Sequence, residues 1–430
     1  MSRVVLLEMN EVSIPFVERY TAKGLLPAFR EMIDRYGYVQ TESETVYERL
    51  EPWIQWVTLH SGKTYSEHGI FRLGDAVNSG VRQIYEELEC KGVRVGALSP
   101  MNTVNRLKSP AFFFPDPWTG GVVSGPRDLT RLYKAIAQAV NDNADHKVTP
   151  ASLTWLLEGF ITYFRLSNLP IYWSFLRRSG TRPWTRALFL DCLLSDVFIK
   201  LWTKTKPDFA SLFLNGTAHI QHHYFFNSSV YSGKQKNPEW YVRSGVDPLL
   251  DAYTLYDSIL DSIRSIAPDA RIIVATGLSQ EPYDRPIYYY RLRDHASFLR
   301  AVNIRFHRVL PRMSRDFLIE FETDDDAVTA ERILSTARTD DGKVIFEVEN
   351  RGRSIFVTLI YPFAISRGMR IVISGIELSE FDKHVAFVAI KNGHHLGTGY
   401  VIDTGLPQKK PASTVPLVSI FDRLLSAFPG

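Results

Sequence analysis

The sequence predicts an α/β protein built on a doubly wound, mostly parallel sheet that carries a helical cap insertion and a β-rich insertion. Three observations carry the prediction. Short apolar or β-branched runs at 4–7, 94–98, 209–214 and 271–276 alternate with helical periodicity, the pattern of parallel strands joined by crossover helices. The stretch 149–206 is rich in Trp, Phe, Tyr, Leu and Arg and reads as inserted helices rather than a linker. From 303 to 390 the pattern changes to β runs joined by polar turns such as Asp340-Asp341-Gly342.

Taken in order, the first strand at 4–7 leads into apolar periodicity over 14–36, read as one helix. A helix at 81–90 precedes the strand at 94–98. Leu249, Tyr253, Tyr256, Ile259 and Ile263 fall at helical spacing ahead of the strand at 271–276. The β-rich lobe holds runs at 317–321, 343–348, 354–359, 370–376 and 385–390. After it, Gly393-His394-His395-Leu396-Gly397 and an amphipathic segment at 415–428 return to the core. The expected organisation is therefore core 1–148, helical cap 149–206, core 207–302, β-rich insertion 303–390 and core 391–430. At 430 residues, a single large α/β core carrying insertions, or two to three domains, is the natural size class.

A hydrophobic fraction of 45% with 23% charged residues is that of a globular chain. Fifty basic against 47 acidic residues give a formal +3, far from the clustered excess of a nucleic-acid binder. Cys90 and Cys192 stand far apart in apolar or helical surroundings and read as buried free thiols of a reducing compartment. Met1-Ser2-Arg3 runs straight into the first strand without an export signal, so the expectation is a cytoplasmic protein. The apolar stretch 187–202 is interrupted by Asp191, Asp196 and Lys200 and does not read as a membrane span. Arg165, Arg177, Arg178, Arg182 and Arg186 in the cap leave open a peripheral contact with a membrane surface or an anionic substrate, beside the simpler reading of solvated helix faces.

Val4-Val5-Leu6-Leu7-Glu8-Met9-Asn10-Glu11, followed by Gly24-Leu25-Leu26-Pro27-Ala28-Phe29, resembles the opening of the type I phosphodiesterase and nucleotide pyrophosphatase branch of the alkaline phosphatase superfamily. The segment from Glu51-Pro52-Trp53 to Ser61-Gly62, with Glu67-His68-Gly69-Ile70-Phe71 behind it, is similar to the family's nucleophile segment, and Phe114-Pro115-Asp116-Pro117-Trp118 to a further family segment. The pieces follow family order from near residue 4 to near residue 405. The resemblance implies an alkaline phosphatase-like core and two-metal phosphoryl chemistry, in which one ion activates a Thr or Ser and both neutralise the transferring group. Yet the family's positions are changed here. Asn10 stands where the first-strand aspartate would, Pro52 or Glu51 where the nucleophile would, Ala218 where an aspartate precedes His222, and Gly277-Leu278 where an Asp-His pair would. The last ligand histidine corresponds to His395 or His394.

That loss of carboxylates argues against a two-metal site and leaves room for one divalent ion, zinc or manganese, on His219, His222 and His395. His219 and His222 can share an ion from one helical turn. The alternative is that these histidines are hydrogen-bonded pocket residues without metal. Glu51 and Glu11 are the candidate catalytic carboxylates, with Glu8 nearby, since a carboxylate beside imidazoles can act as acid or base; Glu51 reads as a base activating an acceptor, a covalent nucleophile, or a salt-bridging group under Trp53 and Trp56. Asn10, Gln55, Gln280 and His223 are candidate substrate-binding residues, Asn10 because ligands bind at the carboxyl ends of strands in open α/β sheets. Ser61-Gly62-Lys63-Thr64 reads as a helix-ending turn, because Val57 occupies the position a phosphate-binding loop needs as glycine. The sequence thus leads to a divergent hydrolase or transferase acting on a phosphorylated or glycosylated small molecule or glycan, without the usual Thr or Ser nucleophile. Its rival is a catalytically inactive relative that binds a sugar phosphate or protein partner in a surface-polysaccharide pathway.

Overall fold

The computed structural model describes residues 3–141, 149–312, 315–407 and 414–429. These divide into two compact units. The first comprises 1–233, 242–282 and 393–430, and the second 234–241 and 283–392.

The first unit is organised by an eight-stranded sheet in the order Thr414–Pro416, Val39–Glu42, Thr398–Asp403, Arg271–Ala275, Val4–Met9, Phe209–Leu214, Val95–Leu98, Phe112–Phe114. Val4–Met9 is central and pairs in parallel with both neighbours, Val4 opposite Phe209 on one side and Arg271 on the other. Thr398–Asp403 is antiparallel to both of its neighbours. Every residue of Val4–Met9 is buried, as a strand covered on both faces must be, which is why it reads as an apolar run rather than an alternation. Its carboxyl end, with those of Phe209–Leu214 and Arg271–Ala275, gathers Asn10, Glu11, Asn215 and Thr276 at one edge of the sheet.

The single helix expected over 14–36 is two, Ile14–Ala22 and Pro27–Tyr36. Gly24 takes φ +77° and Pro27 enters the second helix in its first turn, where its missing N–H costs nothing. The cap region forms helices Pro150–Tyr163, Leu169–Arg178 and Thr185–Thr205. The last of these is a sheet-covering helix rather than part of a lid. It packs on Phe209–Leu214 and Pro248–Ile266, with Val197, Phe198, Leu201 and Trp202 buried. Its interrupting acids are hydrogen-bond hubs. Asp196 accepts from Arg165 N at 2.9 Å, Asn168 Nδ2 at 2.7 Å and Tyr172 Oη at 2.8 Å. Asp191 accepts from Gly216 N and Tyr256 Oη, both at 2.7 Å. Both cysteines are free, but Cys90 is exposed rather than buried, because its short helix Ile84–Cys90 turns Ile84, Tyr85 and Leu88 inward.

The second unit is β-rich, with strands Arg308–Pro311, Asp316–Glu320, Phe346–Asn350 and Ser354–Leu359 in one antiparallel sheet. It also holds a helix, Asp324–Ser335, that the β pattern did not announce. Phe317, Ile319, Leu334, Phe346, Ile355 and Val357 form part of its own core.

Candidate metal centre

The site grows from the end of the central strand. Glu11, one residue past Asn10, adopts φ +59°, a left-handed conformation that a side chain with a Cβ takes only under compensation. The compensation is visible. Its N–H donates to Thr276 O at 3.0 Å and its carbonyl accepts from Gln221 Nε2 at 2.6 Å. Gln221 is itself held, its Oε1 accepting from Ser13 N at 3.1 Å and from the Tyr253 hydroxyl.

Glu11 meets two histidines. Its Oε2 lies 3.3 Å from His222 Nε2 and 3.2 Å from His395 Nε2, and the two imidazole nitrogens are 3.2 Å apart. His222 comes from the helix Gly216–Tyr224 that follows the neighbouring strand. His395 comes from the last residues of the strand Val385–Leu396, just ahead of the sheet strand Thr398–Asp403. Among the described residues these three form the one group of His, Cys, Asp or Glu donors close enough to share an ion.

His222 is oriented from behind. Its Nδ1 is 3.1 Å from Gly393 O, and since a carbonyl only accepts, Nδ1 donates to it and Nε2 is turned to the centre. Glu51 Oε2 stands 3.9 Å from His395 Nδ1, a charge neighbour rather than a hydrogen bond. Both Glu11 oxygens receive amide protons, Oε1 from Asn10 Nδ2 at 3.0 Å and Oε2 from Gln280 Nε2. Burial pushes the Glu11 carboxyl up, but the charges and hydrogen bonds of His395 and His222 outweigh it and hold the group well below the usual carboxylate range. An anionic oxygen and two imidazoles thus converge on one point, where positive charge is favoured, whether it sits on the rings or on an ion.

The separations suit a metal. Ligands about 2.0–2.1 Å from a tetrahedral ion lie about 3.3–3.4 Å from one another, close to the three distances found here. The fit includes the shell behind: a carbonyl fixes His222, a carboxylate faces His395, and two amides orient Glu11, as ligating groups require. His222 and His395 keep 15% and 13% of their side-chain surface, so the centre is reachable from solvent.

The expected residues separate accordingly. His222 and His395 meet, but His219 is exposed on its helix with its ring 4.9 Å from that of His223, and the third corner is Glu11. Of the histidine pair, His394 turns to Glu281 Oε1 at 3.1 Å. Asn10 is fully buried. Besides Glu11 it donates to Asn215 Oδ1 at 2.7 Å, and its Oδ1 accepts from Trp56 Nε1 at 2.7 Å, so it orients Glu11 rather than facing a substrate. Gln280, also buried, spends its amide on Glu11 and on Ala218 O at 3.0 Å. Gln55 is buried and donates to Arg49 O at 2.7 Å. Glu8 sits deeper, 3.2 Å from His60 Nε2 and 3.2 Å from the Tyr85 hydroxyl. Sequence reasoning placed Trp56 only as an aromatic over Glu51 and missed its packing on Gly277, where an added Cβ would come within 3.0 Å of Cε2.

No model of a known protein family matches the chain, and no curated protein sequence matches it. Among solved structures it is similar to phosphonoacetate hydrolase from Sinorhizobium meliloti 1021 in complex with phosphonoacetate, at 13% identity and TM-score 0.44 over 100% of this chain and 96% of that one. The phosphonoformate complex of that enzyme gives 12% and 0.44 with the same coverage. Human ectonucleotide pyrophosphatase/phosphodiesterase 5 gives 10% identity and TM-score 0.42 over 99% of this chain and 94% of that one.

Proposed function

We propose that this chain is a hydrolase or group transferase for a phosphorylated or glycosylated substrate, working with one divalent ion, zinc or manganese, held by Glu11, His222 and His395. The observation that carries the reading is the triangle of donor atoms with sides of 3.2, 3.2 and 3.3 Å, with hydrogen bonds behind Glu11 and His222 and a carboxylate 3.9 Å from His395 Nδ1. The direction toward phosphorus chemistry comes from the order of sequence segments that resemble the type I phosphodiesterases. When bound, such an ion would polarise a phosphoryl oxygen and lower the pKa of a coordinated water.

The chain's own residues divide the remaining work. Glu11 supplies the charge that retains the ion. Glu51, 34% exposed and not capping the helix Pro52–Ser61 that it precedes, is the candidate base for an attacking water or acceptor. Its carboxylate also favours the orientation of His395 that turns Nε2 inward. One ion rather than two is supported by Trp56. Asn10 and Gly277, two positions at which the resemblance places ligands, both lie against its indole, and neither offers a charge.

A second reading is a metal-dependent binding protein for a sugar phosphate, favoured by Pro52, which starts the helix where a hydroxyl nucleophile would be required. Turnover of an aryl phosphodiester and of a sugar phosphate, with and without added zinc or manganese, separates the two. The enzyme reading expects metal-dependent turnover, lost in His222→Ala and lowered about 10²–10⁴-fold in Glu51→Gln. Turnover indifferent to chelation and to His222→Ala would refute it, and tight sugar-phosphate binding without turnover would leave the second reading.

A further inference from the structure

We propose that the helices Pro150–Tyr163 and Leu169–Arg178 form a docking face for an anionic lipid surface, an inference independent of the metal reading. On the first helix Leu153, Leu157 and Ile161 are exposed, and at 3.6 residues per turn they fall within about 80° of one another. On the second, Leu169, Trp173 and Leu176 share one exposed face, and Leu166 just before it is 77% exposed. Trp173 is 66% exposed. The other sides of the same helices bury Gly159, Tyr163 and Tyr172, with the half-buried Phe160 ring centroid 4.9 Å from that of Tyr172. Each helix is thus apolar on both sides, which water alone does not favour.

Charge selects the occupant. From 149 to 186 there are five arginines and a single carboxylate, Glu158, which is paired with Arg131 at 2.9 Å. Arg182 is taken by Asp251 at 3.0 Å, while Arg177, Arg178 and Arg186 are exposed. Arg177 lies at the edge of the Trp173 face, where a long cationic side chain can reach lipid phosphates while the ring sits at headgroup depth. Beside it, Phe175, Leu176, Ser179, Thr185, Arg186 and Phe189 line a groove of about 290 Å³, an apolar floor with a cation at the rim. A second copy meeting this face about a two-fold axis would set arginine against arginine. Among the described residues no helix is long and apolar enough to cross a membrane, and the two stripes have the form of helices that lie along a surface.

The test is co-sedimentation of the full chain with vesicles of phosphatidylcholine plus phosphatidylglycerol, and with phosphatidylcholine alone. Expected are binding to the anionic vesicles that weakens as salt rises, and at least about tenfold weaker partitioning for Leu166→Ser/Trp173→Ser and for Arg177→Glu/Arg178→Glu. All four positions are exposed, so thermal melts should match the parent chain. Should one variant melt differently, Leu153→Ser/Leu157→Ser probes the other stripe. Absence of binding to either vesicle, binding unchanged by the variants, or equal salt-insensitive binding to both lipids would overturn the proposal. So would a dimer that these variants dissociate in the absence of vesicle binding, which would assign the face to a second copy.

Discussion

Trp56→Phe tests whether Glu11 is held from behind. Trp56 and Asn10 are both fully buried, and the indole N–H is 2.7 Å from Asn10 Oδ1. Phenylalanine removes that donor and leaves a buried acceptor unpaired, a loss of about 1–3 kcal/mol. The smaller ring also opens space beside Gly277 and Phe213, whose ring centroid is 5.5 Å from that of Trp56, adding about 1–2 kcal/mol. The expected total of about 2–5 kcal/mol appears in urea or guanidinium unfolding as a lower midpoint with an unchanged slope. The second consequence lies at the centre. Asn10 freed from Trp56 holds Glu11 Oε1 less firmly, and ion affinity should fall about 10–100-fold by titration calorimetry. Trp53→Phe is the control, because its indole reaches Phe71 O at 3.0 Å on an exposed edge and has no path to Glu11. A Trp56→Phe variant within about 0.5 kcal/mol of the parent, with ion affinity unchanged, would refute the chain from Trp56 through Asn10 to Glu11.

Other outcomes follow from the same contacts. Gly277→Ala, at φ +72° and with its new Cβ 3.0 Å from the Trp56 ring, should destabilise by about 1–3 kcal/mol in chemical unfolding, and an unchanged midpoint would remove the contact from the account. Asp116→Ala should cost about 2–4 kcal/mol by the same assay, because the buried carboxylate accepts from the backbone N–H groups of Asn102, Trp118 and Thr119 at 2.9, 2.9 and 2.7 Å. Burial pushes the Asp191 carboxyl up to about 6, against hydrogen bonds from Tyr256 and Gly216 that lower it. A raised acid pKa means the native state keeps its proton longer than the unfolded chain, so stability falls as pH rises from about 4 to about 6. Relative to Asp191→Asn, the parent chain should lose up to about 3 kcal/mol across that window, and parallel pH profiles would contradict it.

Much of the sheet was legible because buried parallel strands announce themselves as apolar runs, and Phe209–Leu214 has the bounds its residues suggest. The break at Pro27 was also present in the sequence, but apolar periodicity continues across it and masks the turn. Asp191 and Asp196 looked like interruptions of a cap helix, whereas each is buried as an acceptor for partners distant in sequence. The candidate centre was half legible. His222 and His395 stood out as retained histidines, and His219 seemed the natural third donor because helical spacing is visible in a sequence. The swing of Glu11 is not visible there, since it depends on a positive φ held by Gln221 and Thr276. The packing of Trp56 on Gly277 is likewise a tertiary event without a local signal.

The most direct test of the central claim is the zinc and manganese content of untagged protein purified without chelator, measured beside Glu11→Ala and His219→Ala. One equivalent of ion in the parent chain, lost in Glu11→Ala and kept in His219→Ala, is the result expected of a centre built from Glu11, His222 and His395. Two equivalents, or one that survives Glu11→Ala but disappears with His219→Ala, would contradict it.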